Sequence, residues 1–91
     1  MEFEWDPQKA DHNLKKHRVD FTEAATVFAD PLSITYPDPD HSRSEDRYII
    51  IGLSAHHRLL IVAHTDRAEV TRIISAREVT HRERKLYESE S

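Results

Sequence analysis

Arg47-Tyr48-Ile49-Ile50-Ile51-Gly52-Leu53-Ser54 and Arg58-Leu59-Leu60-Ile61-Val62-Ala63-His64-Thr65 decide the fold. Both runs are dense in β-branched and large apolar residues, and Ala55-His56-His57 between them is the length of a hairpin connection. A third run, Glu69 to Ser75, follows the turn-like Asp66-Arg67-Ala68. Strands joined by short turns pair antiparallel, so these runs form the centre of an antiparallel sheet. Leu32 to Tyr36 supplies a further short strand and Phe3 to Trp5 a candidate edge strand. The lone glycine, Gly52, lies inside a strand and marks a bulge or a close backbone approach.

Upstream the period changes to that of helices. Asp6-Pro7 is a helix start, with Asp6 as cap and proline where its missing N–H costs nothing. This helix should run to about His17 and end on the cations Lys15, Lys16 and His17, which suit its dipole. Asp20-Phe21-Thr22-Glu23 reads as a capping box for a second helix through about Phe28, stopped by Asp30-Pro31. Pro37 to Asp46 is a polar loop. Ser75-Ala76-Arg77-Glu78 reads as another capping box, opening a C-terminal helix to about Tyr87. The expected fold is α+β: two N-terminal helices, an antiparallel sheet of 3–5 strands and a C-terminal helix, all in one domain over residues 1–91.

Composition narrows the function. Cysteine is absent, which removes disulfides and thiolate metal sites and fits a reducing, cytoplasmic setting. The acidic N-terminus lacks the pattern of a signal peptide, and no apolar run is long enough to span a bilayer. One glycine rules out Gly-rich phosphate loops. Asp38-x-Asp40-x-Ser42 resembles a calcium loop but fails at Arg43 and Ile49. A metal site on His41 with Asp38 and Asp40, or on His56 and His57, has no supporting spacing; no metal and no cofactor is expected.

Net charge is −4, yet it is unevenly spread. Residues 1–55 carry 6 Lys/Arg against 11 Asp/Glu, whereas residues 56–85 carry 7 against 4. That second stretch contains His64, Arg67, Glu69, Arg72, Arg77, Arg82 and Lys85 on the last strands and the final helix. Cross-strand neighbours lie within about 5–8 Å, so a His, a Glu and several Arg can converge there. RNA is cleaved without metal when its 2′-hydroxyl attacks the adjacent phosphate, which needs a base, an acid and fixed positive charge. These residue types suffice for that chemistry. Each also has a plainer reading: His64 as a structural residue at a strand end, Glu69 as the ion-pair partner of an edge-strand Arg72, and Arg82, Arg84 and Lys85 as a solvated helix face.

Several segments together resemble one family. They are Phe3-Glu4-Trp5-Asp6-Pro7, Asn13-Leu14-Lys15-Lys16-His17, Phe21 to Phe28, Asp30-Pro31, Arg47 to Gly52, Arg72 to Arg77 and Arg82-Glu83-Arg84 before Tyr87. In this order, over nearly the whole chain, they resemble the BrnT toxins, the ribonuclease half of bacterial type II toxin–antitoxin pairs. The resemblance implies a RelE-like α+β toxin that cleaves RNA without metal and arrests translation. It implies a ribbon-helix-helix-type antitoxin that covers the toxin and binds DNA as an autorepressor; a toxin homodimer within a heterotetramer is a candidate assembly that no residue pattern fixes. It carries over Glu69, Arg72, Arg77 and Arg82 as active-site residues, to which the residue reading adds His64; Lys16, His17, Arg67 and Lys85 are the expected RNA contacts. The alternative is a non-catalytic module that only binds an antitoxin. Where the family usually has glycine after the Lys-His pair this chain has Arg18, which points to a differently shaped turn.

Overall fold

The side-chain amide of Asn13 holds the first helix to the sheet. In the computed structural model, which describes residues 1–38 and 46–90, Asn13 is buried and bonds both to the turn that follows α1 and to a strand. Its Nδ2 donates to the carbonyls of Val19 (3.0 Å) and Ala76 (2.8 Å), and its Oδ1 accepts from the Ala76 N–H (3.1 Å).

Around this clasp the elements run β1 (Glu2–Glu4), α1 (Pro7–His17), α2 (Phe21–Thr26) with a 3-10 turn (Val27–Ala29), β2 (Ile34–Pro37), β3 (Arg47–Leu53), β4 (Leu59–Arg67), β5 (Val70–Glu78) and α3 (His81–Glu90). The sheet order is β1-β5-β4-β3-β2. β2 through β5 form the expected antiparallel meander, and β1 is the expected edge strand. It pairs parallel to β5, through Glu2↔Val70 to Glu4↔Arg72, so the sheet is mixed.

Both helices start where expected, with Asp6 accepting from the Gln8 N–H and Asp20 from the Thr22 N–H, but Glu23 bonds Ser54 and Arg58 instead of closing the expected capping box. The end of α1 differs from the expectation. Arg18 takes the left-handed cap conformation (φ 60, ψ 31) and donates its N–H to the Leu14 carbonyl. The turn thus keeps the shape that glycine favours, at a conformational cost of roughly 1 kcal/mol. His57 and Ala68 hold the same conformation in the two hairpin turns.

The last strand also differs. The expected capping box at Ser75 to Glu78 is strand: Ala76 pairs with Val62, and β5 continues to Glu78 opposite Leu60. The Asn13 amide and the burial of Ala76 outweigh the local helix signal there. Helix α3 begins five residues later on a second box, in which the Thr80 N–H donates to Glu83 and the Glu83 N–H to the Thr80 hydroxyl.

One sheet face packs Leu60, Val62, Ile50, Ile73 and Ala76 against Val19, Phe21, Ala24 and Val27 of the α1–α2 layer. Gly52 allows that contact: a Cβ there would sit 2.8 Å from a Val27 methyl and 3.0 Å from the Ser33 Cβ. This is the close approach, while the bulge lies in β5 beside Ala63 and His64. The other face buries Ile51, Leu59 and Ile61 under Val79 and Tyr87. Tyr87 donates to Asp30 (2.7 Å), whose carboxylate also accepts from Leu32 and Leu53, and its own pKa is pushed up to about 12, chiefly by burial. No helix among the described residues is long and apolar enough to cross a membrane.

Replacing Asn13 with leucine orphans three buried backbone groups, each costing about 1–3 kcal/mol. We expect Asn13→Leu to destabilise by about 3 kcal/mol or more, a melting-temperature loss of roughly 12–25 °C for a domain of this size. A calorimetric melt within about 2 °C of wild type would contradict this. Arg18→Gly should raise the melting temperature by roughly 4–8 °C, because glycine relieves the left-handed strain.

Candidate active site

The register places three rows of side chains on the face that carries α3. Glu4, Arg72, Thr65 and Arg47 are mutual neighbours across β1, β5, β4 and β3. The next row is Ser75, Ala63, Ile49 and Tyr36, and the third is Arg77, Ile61, Ile51 and Ile34. Paired residues share a face, so Arg72 and Arg77 rise from the same side of β5 with small residues between them. Ser75 is exposed and Ala63 half-buried, which leaves an open, small-residue floor flanked by arginines. The β5 bulge absorbs one residue, so Arg72 and Arg77 are roughly 13–16 Å apart along the strand.

Both arginines are already held by carboxylates. Arg72 donates to Glu4 (2.9 Å). Arg77 grips Glu83 with both guanidinium nitrogens (2.8 and 2.9 Å), the fork geometry that fixes orientation as well as charge. The Arg77 hydrogen bonds hold the Glu83 carboxyl below its usual range, and Glu83 in turn raises the Arg77 guanidinium. Because Glu83 also closes the α3 capping box, the start of that helix and the aim of Arg77 are one unit. Tyr36, whose phenol is pushed up by burial and then by Glu83, stands on the same face.

His64 is elsewhere. It lies on the opposite face, buried, edge-on to Phe28 (4.9 Å) and stacked on Tyr48 (5.8 Å). Its Nδ1 is 3.1 Å from Asp66 Oδ1, which also accepts from the Thr71 hydroxyl, and its buried Nε2 has no hydrogen-bond partner among the described residues. Burial lowers its pKa against the pull of Asp66, so the ring is neutral near pH 7 and acts as a core residue. The sheet separates it from the arginines. Glu69 is exposed in the β4–β5 turn, on a shallow hollow with Asp66 and Thr71, and the partner of Arg72 is Glu4 instead.

Among the remaining expected residues, Arg67 sits at the end of β4 two positions beyond Thr65, on the arginine face by alternation. Arg82 and Lys85 are exposed on α3; Arg82 is one turn ahead of Leu86, which borders Ile34, Thr35 and Tyr36. Lys16 and His17 line a groove of about 480 Å³ between α1 and β5. The pKa of His17 is lowered by burial, then by Lys16, Arg77 and His12, which places it in the field of Arg77. Arg58, counted in the basic stretch, is consumed by structure: it bonds buried Glu23 (2.6 and 3.0 Å) and the Arg18 carbonyl.

Residue reasoning missed Glu4, Tyr36 and Arg47 because strand register brings them in. Glu83 was legible in the second Thr-x-x-Glu box. No group of three or more His, Cys, Asp or Glu among the described residues is arranged to hold a metal. The metal loop at Asp38, Asp40, His41 and Ser42 lies mostly outside the described residues.

The geometry defines a small α+β domain with an open sheet face that carries Arg47, Arg72 and Arg77. The family follows from the sequence as a whole: the family described as "Ribonuclease toxin, BrnT, of type II toxin-antitoxin system" matches residues 5–83, and the chain belongs to it. The crystal structure of the Brucella abortus ribonuclease toxin BrnT has the same fold, with a TM-score of 0.69 at 21% identity over 89% of this chain and 99% of that one. No curated protein matches. Membership implies an antitoxin partner.

The buried His64 makes stability depend on pH with a defined sign. Above about 6.5 both folded and unfolded forms carry it neutral. Below that value the unfolded chain takes a proton that the buried ring still refuses, so stability is lost as pH drops through this window. Thermal melts between about pH 7.5 and about pH 5 should show a shallower loss for His64→Phe than for wild type. Parallel curves would contradict a buried neutral ring.

Proposed function

We propose that this chain cleaves RNA by metal-independent transesterification on the arginine face, and so arrests translation. The observation that carries the reading is Arg72 and Arg77 on one side of β5 across the Ala63–Ser75 floor, with Arg47 in the same row as Arg72. Fixed guanidinium groups stabilise the charge that builds on the phosphate oxygens as the 2′-oxygen attacks phosphorus. The P–O5′ bond then breaks, leaving a 2′,3′-cyclic phosphate and a 5′-hydroxyl. His17, unprotonated near pH 7 and within the field of Arg77, takes the 2′-hydroxyl proton; water protonates the leaving oxygen. A ribbon-helix-helix-type antitoxin covers this face, and the DNA-binding autorepressor is the complex, a heterotetramer around two toxins.

A second reading, a non-catalytic antitoxin-binding module, is favoured by one fact: both arginines are already neutralised by Glu4 and Glu83. Substrate phosphate must compete with those carboxylates.

Induced expression without antitoxin should stop growth, and Arg77→Ala or Arg72→Ala should relieve it at equal soluble yield. Purified protein should cut RNA in EDTA, with kcat reduced about 10²–10³-fold in Arg77→Ala and about 10²–10⁴-fold in His17→Ala. Wild-type activity should rise with pH through an apparent pKa below about 6.5, and His17→Asn should abolish that limb. Tight antitoxin binding with no cleavage by wild type would establish the module instead.

A further inference from the structure

The groove between α1 and the free edge of β5 has a use of its own. β1 pairs only with Val70 to Arg72, and beyond the bulge Asn13 satisfies Ala76, so Ile74 and Ser75 form an uncovered floor. Lys9, His12 and Lys16 border it at i, i+3 and i+7, one stripe along the helix. The stripe spans about 10 Å.

Charge accounting supports this. On this acidic chain most cations near the sheet are spent internally: Arg58 on Glu23, Arg72 on Glu4, Arg77 on Glu83, and on α1 itself Lys15 on Asp11 (3.0 Å). Among the described residues, Lys9 and Lys16 have no ion-pair or hydrogen-bond partner. Two uncompensated ammonium groups with a histidine between them, over a floor with one apolar and one hydroxyl side chain, match the alternation of phosphate and sugar in a single strand. The groove's inner end is His17, which lies in the electrostatic field of Arg77. Its outer end is closed by Asp6, whose carboxylate is occupied by the Gln8 N–H.

We infer that this groove is a second RNA subsite, which binds the phosphate backbone of the single strand flanking the cleavage point and threads it toward Arg77. The inference rests on the RNA-cleaving reading above. It assigns Lys9 and Lys16 to affinity for long substrates, with about two phosphates contacted.

The test is fluorescence anisotropy with 2′-O-methyl RNA 12-mers and 4-mers of mixed sequence, titrated at several salt concentrations. The proteins are wild type, Lys9→Ala/Lys16→Ala and Lys15→Ala. The double variant should bind the 12-mer roughly tenfold more weakly, with the log–log salt slope reduced by about 1.4, since each single-strand phosphate contributes about 0.7. The 12-mer's advantage over the 4-mer should shrink, its KM for cleavable RNA should rise more than its kcat falls, and Lys15→Ala should behave as wild type. Unchanged affinity and slope in the double variant, with wild type still cutting RNA, would overturn the subsite and leave the ribonuclease reading intact. Wild type that neither binds nor cuts RNA would remove both. Unchanged RNA binding with lost neutralisation by the antitoxin would assign the groove to a protein partner and overturn the inference.

Discussion

The Asn13 amide stands where a neighbouring strand would stand. It offers Ala76 both a donor and an acceptor, the pair that a β-ladder would supply, and it also ties down the Val19 carbonyl in the turn to α2. Three consequences follow from this one side chain. The β5 backbone stays extended past Ser75, so Arg77 remains on a strand and on the same face as Arg72. Helix α1 is fixed along the sheet edge, which builds the groove and brings His17 into the field of Arg77. Finally, α3 starts only at Thr80, where Glu83 can reach back to Arg77.

The proposed RNA cleavage poses a charge problem for an acidic protein. Its overall field repels the ligand, so attraction has to be local. In this chain the sheet arginines are stored against carboxylates, while the lysines of the α1 groove are left uncompensated. The stored pairs are partly exposed and weak as stabilising elements, since solvent screens them. Their value lies in orientation: Glu83 holds both arms of Arg77 and is itself locked by the capping box. Exchange of a carboxylate for a phosphate then costs little rearrangement.

Much of this was readable in advance. The hairpin runs, the capped start of α1 and the close approach at Gly52 follow from local chemistry. The start of α3 was not, because Ser-Ala-Arg-Glu and Thr-His-Arg-Glu are equally good local boxes and only the contact from Asn13, 63 residues away, rejects the first. The αL cap at Arg18 persists because flanking bonds outweigh a penalty of about 1 kcal/mol. The site was legible in part. Arg72, Arg77 and the Lys16–His17 pair emerge from pattern, whereas a single bulge in β5 decides that Arg72 and Arg77, five residues apart, share a face and that His64, on the core side of β4, pairs with Ile73. Glu4 and Arg47 enter through register alone, which no local motif reports.

The central claim is that arginines and a neutral histidine, without metal, direct the RNA's own 2′-oxygen at phosphorus. The chemistry of the cut ends tests it most directly. Cleavage of a defined RNA in EDTA, followed by mass spectrometry of the fragments, should give 2′,3′-cyclic phosphate (or the 3′-phosphate formed from it) on one end and 5′-hydroxyl on the other. Fragments with 3′-hydroxyl and 5′-phosphate ends would show that water, not the 2′-oxygen, attacks, and would contradict the account.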